Sequence, residues 1–294
     1  MIITNSLGLP QPFVDACKSD YEYKPKRYSV TSILKGTREN LLMRRHNDEI
    51  LQDASDMVWL IFGTAVHKIL EEAEPGPWQY QEFKVETKVA NGYTLSGVID
   101  FFDDKNHIIA DWKTGSVWKV INGDFEDYRL QLLAYAWLLE QNGFTFPRHA
   151  QIVMVLKDHS PMKARNDASY PQHAVHVEHF EFNDDDKQFI EHLILDKLLE
   201  IQKYEEAEDD ELPPCSAEER WKTPDRYAVM KKGRKTALRL LDSEKDAYQW
   251  LADNGYAGDA KVYIEHRIGE SRKCKDYCSA CEFCDFYHKE VQNG

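Results

Sequence analysis

No run in this 294-residue chain approaches the roughly 18 apolar residues that a membrane span requires, so a helical membrane protein is excluded and no membrane partner is expected. The first twenty residues lack a basic stretch followed by an apolar one, which argues against a secretory leader and for a cytoplasmic location. Glycine and proline are scarce, at 14 and 11 residues, while 42% of the chain is hydrophobic. Collagen-like, low-complexity and wholly disordered classes therefore drop out, and the length suits one large domain or a core plus an appendage. No self-similarity occurs at a solenoid period. A Gly-x-x-x-x-Gly-Lys-Ser/Thr phosphate loop is also missing, so any ATP-driven motor must be another chain. Basic charge is in deficit: 37 Lys and Arg against 51 Asp and Glu leave −14, which speaks against adhesion to anionic polymers through net charge alone.

That average hides polarity. Residues 1–46 carry eight basic and four acidic side chains, and residues 222–239 carry seven basic ones against Asp225. The acid gathers at Glu205, Glu206, Glu208, Asp209, Asp210 and Glu211. Lys231, Lys232, Arg234 and Lys235 form a basic tract suited either to a nucleic-acid face or to a solvated hairpin.

Periodicity orders the elements. YSVTSILKGTRENLLMRRH reads as a cap at Ser29 to Ser32 followed by a helix, and a second helix is expected at about 56–74. QEFKVETKVA, TLSGVIDFFD and HIIADWKTG then alternate, separated by Asn91-Gly92 and Asp104-Lys105-Asn106, which predicts three antiparallel strands. A helix striped by Leu130, Leu133, Ala134, Trp137 and Leu138 follows, then the apolar strand AQIVMVLK. Beyond residue 160 come the alternating HVEHFEFN and a long amphipathic helix that runs into the acidic cluster. A hairpin turning at Lys232-Gly233, a capped helix SEKDAYQWLADNG and the strand KVYIEHRI complete the appendage. Trp221, Tyr227 and Trp250 in this part read as core packing rather than as stacking platforms for bases.

Chemistry concentrates in IIADWKTG. Asp111 and Lys113 are two residues apart, so on a strand they leave the same face while Trp112 points away. Asp100 ends the apolar run of the preceding strand, and the short turn brings it near Asp111. Two adjacent buried carboxylates repel unless a positive charge sits between them, and a divalent cation with oxygen ligands is the economical solution. On the earlier helix, Val66, Ile69, Leu70 and Ala73 predict a packed stripe that places His67 beside the core as an imidazole ligand. Gln131 and Tyr135, at i and i+4, share a helix face and can bridge a backbone and a phosphate. Glu82 and Glu86, on the first strand, read either as groups that support the metal ligands or, the favoured reading, as a solvated face.

Taken in order, Gly63-x-x-x-His67-x-x-Leu70-Glu71, Gly97-x-x-Asp100, Asp111-x-Lys113-Thr114-Gly115 and Gln131-x-x-x-Tyr135 resemble the PD-(D/E)XK nuclease superfamily, specifically its RecB-like exonuclease branch, over about residues 28–157. The resemblance implies an α/β fold, a restriction-endonuclease-like mixed sheet flanked by helices. It implies that His67, Asp100, Asp111 and the backbone carbonyl of Trp112 bind Mg²⁺ or Mn²⁺, with Asp100, Asp111 and Lys113 catalytic and Lys113 orienting the attacking water. Gln131 and Tyr135 would contact the nucleic-acid backbone. The third motif carries Asp111 where the family accepts Asp or Glu, so ligation is not in doubt. A nuclease core at 1–204, including the N-terminal helical segment, and a C-terminal α+β appendage at 205–294 are the expected domains.

Six cysteines in a chain without a leader point to metal or redox chemistry rather than a disulfide framework. Cys274, Cys278, Cys281 and Cys284 crowd CKDYCSACEFC, while Cys215 follows Pro213-Pro214 and Cys17 lies near the start. Four thiolates fit either tetrahedral Zn²⁺ or a [4Fe-4S] cluster, and the residues alone do not choose. The resemblance favours a [4Fe-4S] staple similar to that of AddB and CRISPR-adaptation nucleases, in which one remote cysteine joins a C-terminal group. Cys278 and Cys284 keep the expected separation, whereas three residues lie between Cys274 and Cys278 instead of the usual two, and Gly36 stands where the remote cysteine usually lies. Cys215 then substitutes for it, with Cys274, Cys278 and Cys284 as partners and Cys281 as the alternative ligand. Such a staple would close the appendage and fix the basic tract relative to the active site.

The expectation is a metal-dependent deoxyribonuclease, an exonuclease or end-processing enzyme of bacterial or phage-infected cells, partnered by DNA and by a separate helicase or recombination protein. A non-catalytic nucleic-acid-binding module and a zinc scaffold are the alternatives. Intact His67, Asp100, Asp111 and Lys113 disfavour the first of these.

Overall fold

A computed structural model describes residues 1–19 and 21–293, which form two compact units, Met1–Ala207 and Glu208–Gly294. In the first unit the elements run β1 (Ile2–Thr4), α1 (Gln11–Ala16), β2 (Arg27–Ser29), α2 (Val30–Ile33), α3 (Thr37–Arg45), β3 (Leu51–Asp53) and α4 (Val58–Glu71). They continue with β4 (Gln79–Lys88), β5 (Thr94–Asp103), β6 (Ile108–Gly115), α5 (Val117–Asn122), α6 (Glu126–Gln141), β7 (His149–Leu156), α7 (Pro161–Asn166), β8 (Val175–Glu181) and α8 (Asp184–Tyr204). The second unit holds β9 (Arg226–Lys231), β10 (Arg239–Leu241), α9 (Glu244–Asp253), β11 (Val262–Arg267), α10 (Arg272–Asp276) and α11 (Asp285–Asn293). Among the described residues no helix is long and apolar enough to cross a membrane.

A six-stranded mixed sheet organises the first unit. β4 and β5 form a long antiparallel hairpin, Gln79 opposite Asp103 through Lys88 opposite Thr94, turned at Asn91-Gly92 as the sequence predicts. β6 pairs antiparallel with the end of β5 and parallel with β7, and β8 returns antiparallel along β7. The parallel β6–β7 step is what α5 and α6 make possible, since a parallel neighbour needs a crossover. α6 starts with Glu126 and Asp127 in its positive first turn and buries every residue from Leu132 to Leu139. It packs on β4, β5, β6 and β7 and is backed by α8, whose buried Ile190, Ile194, Leu198 and Ile201 recur at helical spacing. Asn183 caps α8 by accepting from the N–H groups of Asp185 and Asp186. Helices therefore flank a mixed sheet, as the resemblance implies.

At the start of the sheet, Ser29 and Ser32 form a reciprocal capping box on α2. β1 and β3, a parallel pair of three residues each, were not anticipated.

In the second unit β9 is the central strand of an antiparallel sheet, flanked by β10 and β11. α9, capped by Ser243, lays Ala247 and Leu251 against Val229, with Trp250 packed nearby. Trp221 departs from the core packing expected of it: it is exposed, holds a positive φ of 49° and leans on Tyr277 with ring centroids 5.2 Å apart.

Candidate active site

β5 is a shared strand. Thr94–Ser96 pair with β2, and Phe101–Asp103 pair with β6 in the register Phe101 to Ala110. Past Ala110 the two strands part, so the N–H of Trp112 finds no ladder partner on β5 and donates instead to Asp100 Oδ2 at 2.7 Å. The fork thus opens where Asp100 and Asp111 face one another, and both carboxylates are buried, at 8% and 2% exposure.

Alternation on β6 puts Lys113 on the side of Asp111, and its ammonium makes an ion pair with Asp111 Oδ2. That oxygen is fully enclosed and receives no hydrogen bond of good geometry, whereas Oδ1 accepts from Gln131 Nε2 at 2.9 Å. Tyr135 is buried behind Gln131, which donates to its hydroxyl at 3.2 Å. Burial, and then the charge of Asp111, pushes the Tyr135 phenol up. Gly97 permits this arrangement: a Cβ there would lie 2.7 Å from the Tyr135 ring.

His67 reaches the fork from α4. With a proton on Nε2 it donates to the carbonyl of Trp112 at 3.0 Å, and Nδ1 then presents its lone pair to Asp100 Oδ1 at 3.6 Å and Glu82 Oε1 at 3.8 Å. The helix that delivers it is not built as the sequence predicts. α4 has no buried residue, and Ile69, Leu70 and Ala73 of the expected packed stripe are exposed, Ile69 at 68%. Its period marks an apolar face but not whether anything covers that face.

Glu82 is the residue that sequence reasoning ranked too low, favouring a solvated face over a place beside the ligands. Gln81 opposite Phe101 and Phe83 opposite Ile99 put it across from Asp100, and it holds a positive φ of 46°, unusual for a residue with a Cβ. Counting the hairpin register outward from Asn91-Gly92 would have found it. Glu86, by contrast, pairs with Arg27 at 2.6 Å on the half-open strand face.

Among the described residues, His67, Glu82 and Asp100 bring ligand atoms within 4.8 Å of one another. Burial, with Asp111 adding to it, holds the Asp100 carboxyl above the usual range against the opposing Trp112 N–H, and burial also raises Glu82. Imidazole, two carboxylates that resist ionisation and the enclosed Asp111 oxygen form a donor set that fits a hard divalent cation. Asp111 itself stands beside this trio, tied to Lys113 and Gln131.

The cysteines divide between the units. Cys17 is buried with Val14, Ala54 and Met57, an apolar environment in the first unit. In the second, burial and then the neighbouring Cys215 and Cys284 push the Cys274 thiol up to about 11, while burial and then Glu282, with a smaller part from Cys284, raise Cys281. The chain winds tightly there, with the N–H of Cys281 donating to Cys278 O and that of Cys284 to Cys281 O, both at 3.1 Å. Lys232, Arg234 and Lys235 are exposed on the β9–β10 turn, while Lys231 lies over the Tyr256 ring at 5.3 Å.

A search of curated protein sequences finds no significant match. Among solved structures, the crystal structure of SSO0001 is similar over 61% of this chain and 79% of its own, at 16% identity and a TM-score of 0.45. A phage related exonuclease from Haemophilus somnus 129PT is similar over 60% and 73%, at 13% identity and a TM-score of 0.29. The family model of the PD-(D/E)XK nuclease superfamily matches residues 61–285, from the first turn of the His67 helix to the residue after Cys284. A match over that much of the sequence settles its kinship: the chain belongs to the PD-(D/E)XK nuclease superfamily.

Proposed function

We propose that this protein is a divalent-metal-dependent deoxyribonuclease of the RecB-like branch, acting as an exonuclease or end-processing enzyme. The observation that carries the reading is the meeting of His67, Glu82 and Asp100 at a fork whose other arm bears Asp111 and Lys113. His67, Asp100, Asp111 and the Trp112 carbonyl would hold Mg²⁺ or Mn²⁺, with Glu82 alongside. A cation there supplies Lewis-acid compensation for the charge that grows on a phosphodiester under attack.

The remaining steps belong to side chains. Lys113 offers an ammonium beside the reacting phosphate, where it orients the attacking water and offsets developing charge. Gln131 fixes the Asp111 carboxylate through its 2.9 Å hydrogen bond, and Gln131 and Tyr135 are the proposed contacts to the nucleic-acid backbone. Asp100 is held in one rotamer by the Trp112 N–H. DNA is the proposed partner, with Lys231, Lys232, Arg234 and Lys235 contributing backbone contacts and a separate helicase or recombination protein acting with it. Linear and circular, single- and double-stranded DNA incubated with Mg²⁺, Mn²⁺ or EDTA test the reading: end-dependent, chelator-sensitive degradation supports it, and inertness toward every substrate refutes it.

We further propose that Cys215, Cys274, Cys278 and Cys284 hold a structural [4Fe-4S] cluster, with Cys281 the alternative ligand. The mutual electrostatic influence of Cys274, Cys215 and Cys284 supports this, because thiols crowded in a half-buried site are stabilised by a shared cation. A brown protein with iron and sulfide in equal amounts is the expected result; a colourless one with stoichiometric zinc would transfer the site to Zn²⁺.

A further inference from the structure

α4 carries more apolar surface than a solvent-facing helix needs. Trp59, Leu60 and Phe62 are exposed in succession, and the Phe62 ring stands edge-on to Trp59 with centroids 6.3 Å apart. They are not remote from the chemistry. Trp59, Gly63 and His67 recur every fourth residue on one helix face and line a single groove of about 480 Å³ that also includes Glu82. Eight residues separate Trp59 from His67, which at ~1.5 Å per residue puts the indole about 12 Å along the helix from the metal centre. Gly63 lies midway and has no side chain to interrupt the groove.

The indole is also tethered to the strand that carries the acid and the lysine. Lys157 Nζ stands 3.8 Å from the Trp59 ring centroid, and the Lys157 N–H donates to the carbonyl of Gly115, the last residue of β6, at 3.0 Å. Trp59 remains 54% exposed. An indole with an ammonium over one face offers its other face to a nucleobase and the cation to a phosphate: the base stacks, the ammonium meets the backbone, and every base has a face to offer. The groove runs from Trp59 past Gly63 to His67 and Glu82 of the metal trio, and its wall there is polar, with Lys68 paired to Glu71 at 3.0 Å, which is not the apolar seat that a partner helix needs.

We infer that Trp59, assisted by Lys157, is a stacking platform for one base of an unpaired strand that runs on along the groove to place a phosphate at the metal centre. At the ~3.4 Å rise of a stacked strand, 12 Å spans about three nucleotides. The inference rests on the nuclease reading and deepens it: the strand enters this end of the site single-stranded.

Binding of a fluorescent oligothymidylate in EDTA tests it without turnover. Trp59→Ala is expected to weaken binding by about 5- to 100-fold, whereas Trp59→Phe, which keeps an aromatic face, retains most of the affinity. In the wild type, an abasic spacer walked along the oligonucleotide should cost a similar factor at one position, and that cost should vanish in Trp59→Ala. Circular dichroism checks that both variants fold, as removal of a half-exposed side chain predicts. Equal affinity of Trp59→Ala and wild type, or an abasic penalty indifferent to residue 59, overturns the inference, and a protein ligand for this face becomes the better reading. Failure of the nuclease reading shows separately, as a wild type that binds but degrades nothing when Mg²⁺ or Mn²⁺ is added.

Discussion

The N–H of Trp112 and the carboxylate of Asp100 meet at 2.7 Å because β5 and β6 stop pairing one residue earlier. One hydrogen bond satisfies a backbone donor stranded by the fork and fixes an acid at the metal centre, so sheet geometry and site geometry are the same fact.

In the proposed nuclease Lys113 and Asp111 act on chemistry rather than on capture. Asp111→Ala and Lys113→Ala are each expected to lower cleavage by at least ~100-fold while leaving DNA affinity, measured in EDTA, within a few-fold of wild type. Full metal-dependent cleavage by both variants would defeat the assignment.

Glu82 faces Nδ1 of His67 at 3.8 Å and should contribute to cation affinity. Calorimetric titration of Mn²⁺ into Glu82→Gln is expected to show binding weakened by roughly 10-fold or more, with the melting temperature of the cation-free protein unchanged or raised. Unaltered affinity would return Glu82 to the solvated face that its sequence suggested.

Asp100 makes the cation-free protein pH-sensitive. Its folded carboxyl is raised by burial and by Asp111, so the native state keeps this proton after the unfolded chain, near pH 4, has lost it. More protons bound to the native state mean that stability falls as pH rises through that interval. In EDTA the Asp100→Asn variant should therefore gain on wild type with increasing pH, by ~1–3 kcal/mol at pH 8, and millimolar Mg²⁺ should cancel the gain. Parallel wild-type and variant melting curves across this range would contradict the assignment.

Gly97 leaves room for the Tyr135 ring. Gly97→Ala would force a contact of 2.7 Å, so we expect ~1–3 kcal/mol of destabilisation in chemical denaturation. Cleavage should fall further than stability alone explains, because Gln131 and then Asp111 shift with the tyrosine.

Replacing Cys274 by Ser should bleach the protein and lower the melting temperature of the C-terminal residues before that of the sheet, followed by hydrogen exchange. Retention of colour and of C-terminal protection would remove Cys274 from the ligand set.

The hairpins, the main helices and the Asp100–Asp111–Lys113 grouping were legible because alternation and turn residues fix strand register, and register fixes which side chains share a face. Three features were not. Glu82 looked like one solvated acid among several, because residue type does not single it out and only the hairpin register counted from the turn sets it opposite Asp100. The α4 stripe misled because its period marks an apolar face but not whether anything covers that face, and Ile69 and Leu70 are left exposed. The β1–β3 pair escaped because three residues joining three others across 47 positions leave no local trace.

A cation shared between β4, β5 and the α4 histidine would grip neighbouring strands at one alignment only. Sliding β5 by a single residue turns Asp100 to the opposite face, so an ion in the fork would penalise every misaligned hairpin and make correct threading of the sheet a prerequisite for loading. Occupancy would then report on the integrity of the sheet, and a molecule with a slipped strand would be inert by construction.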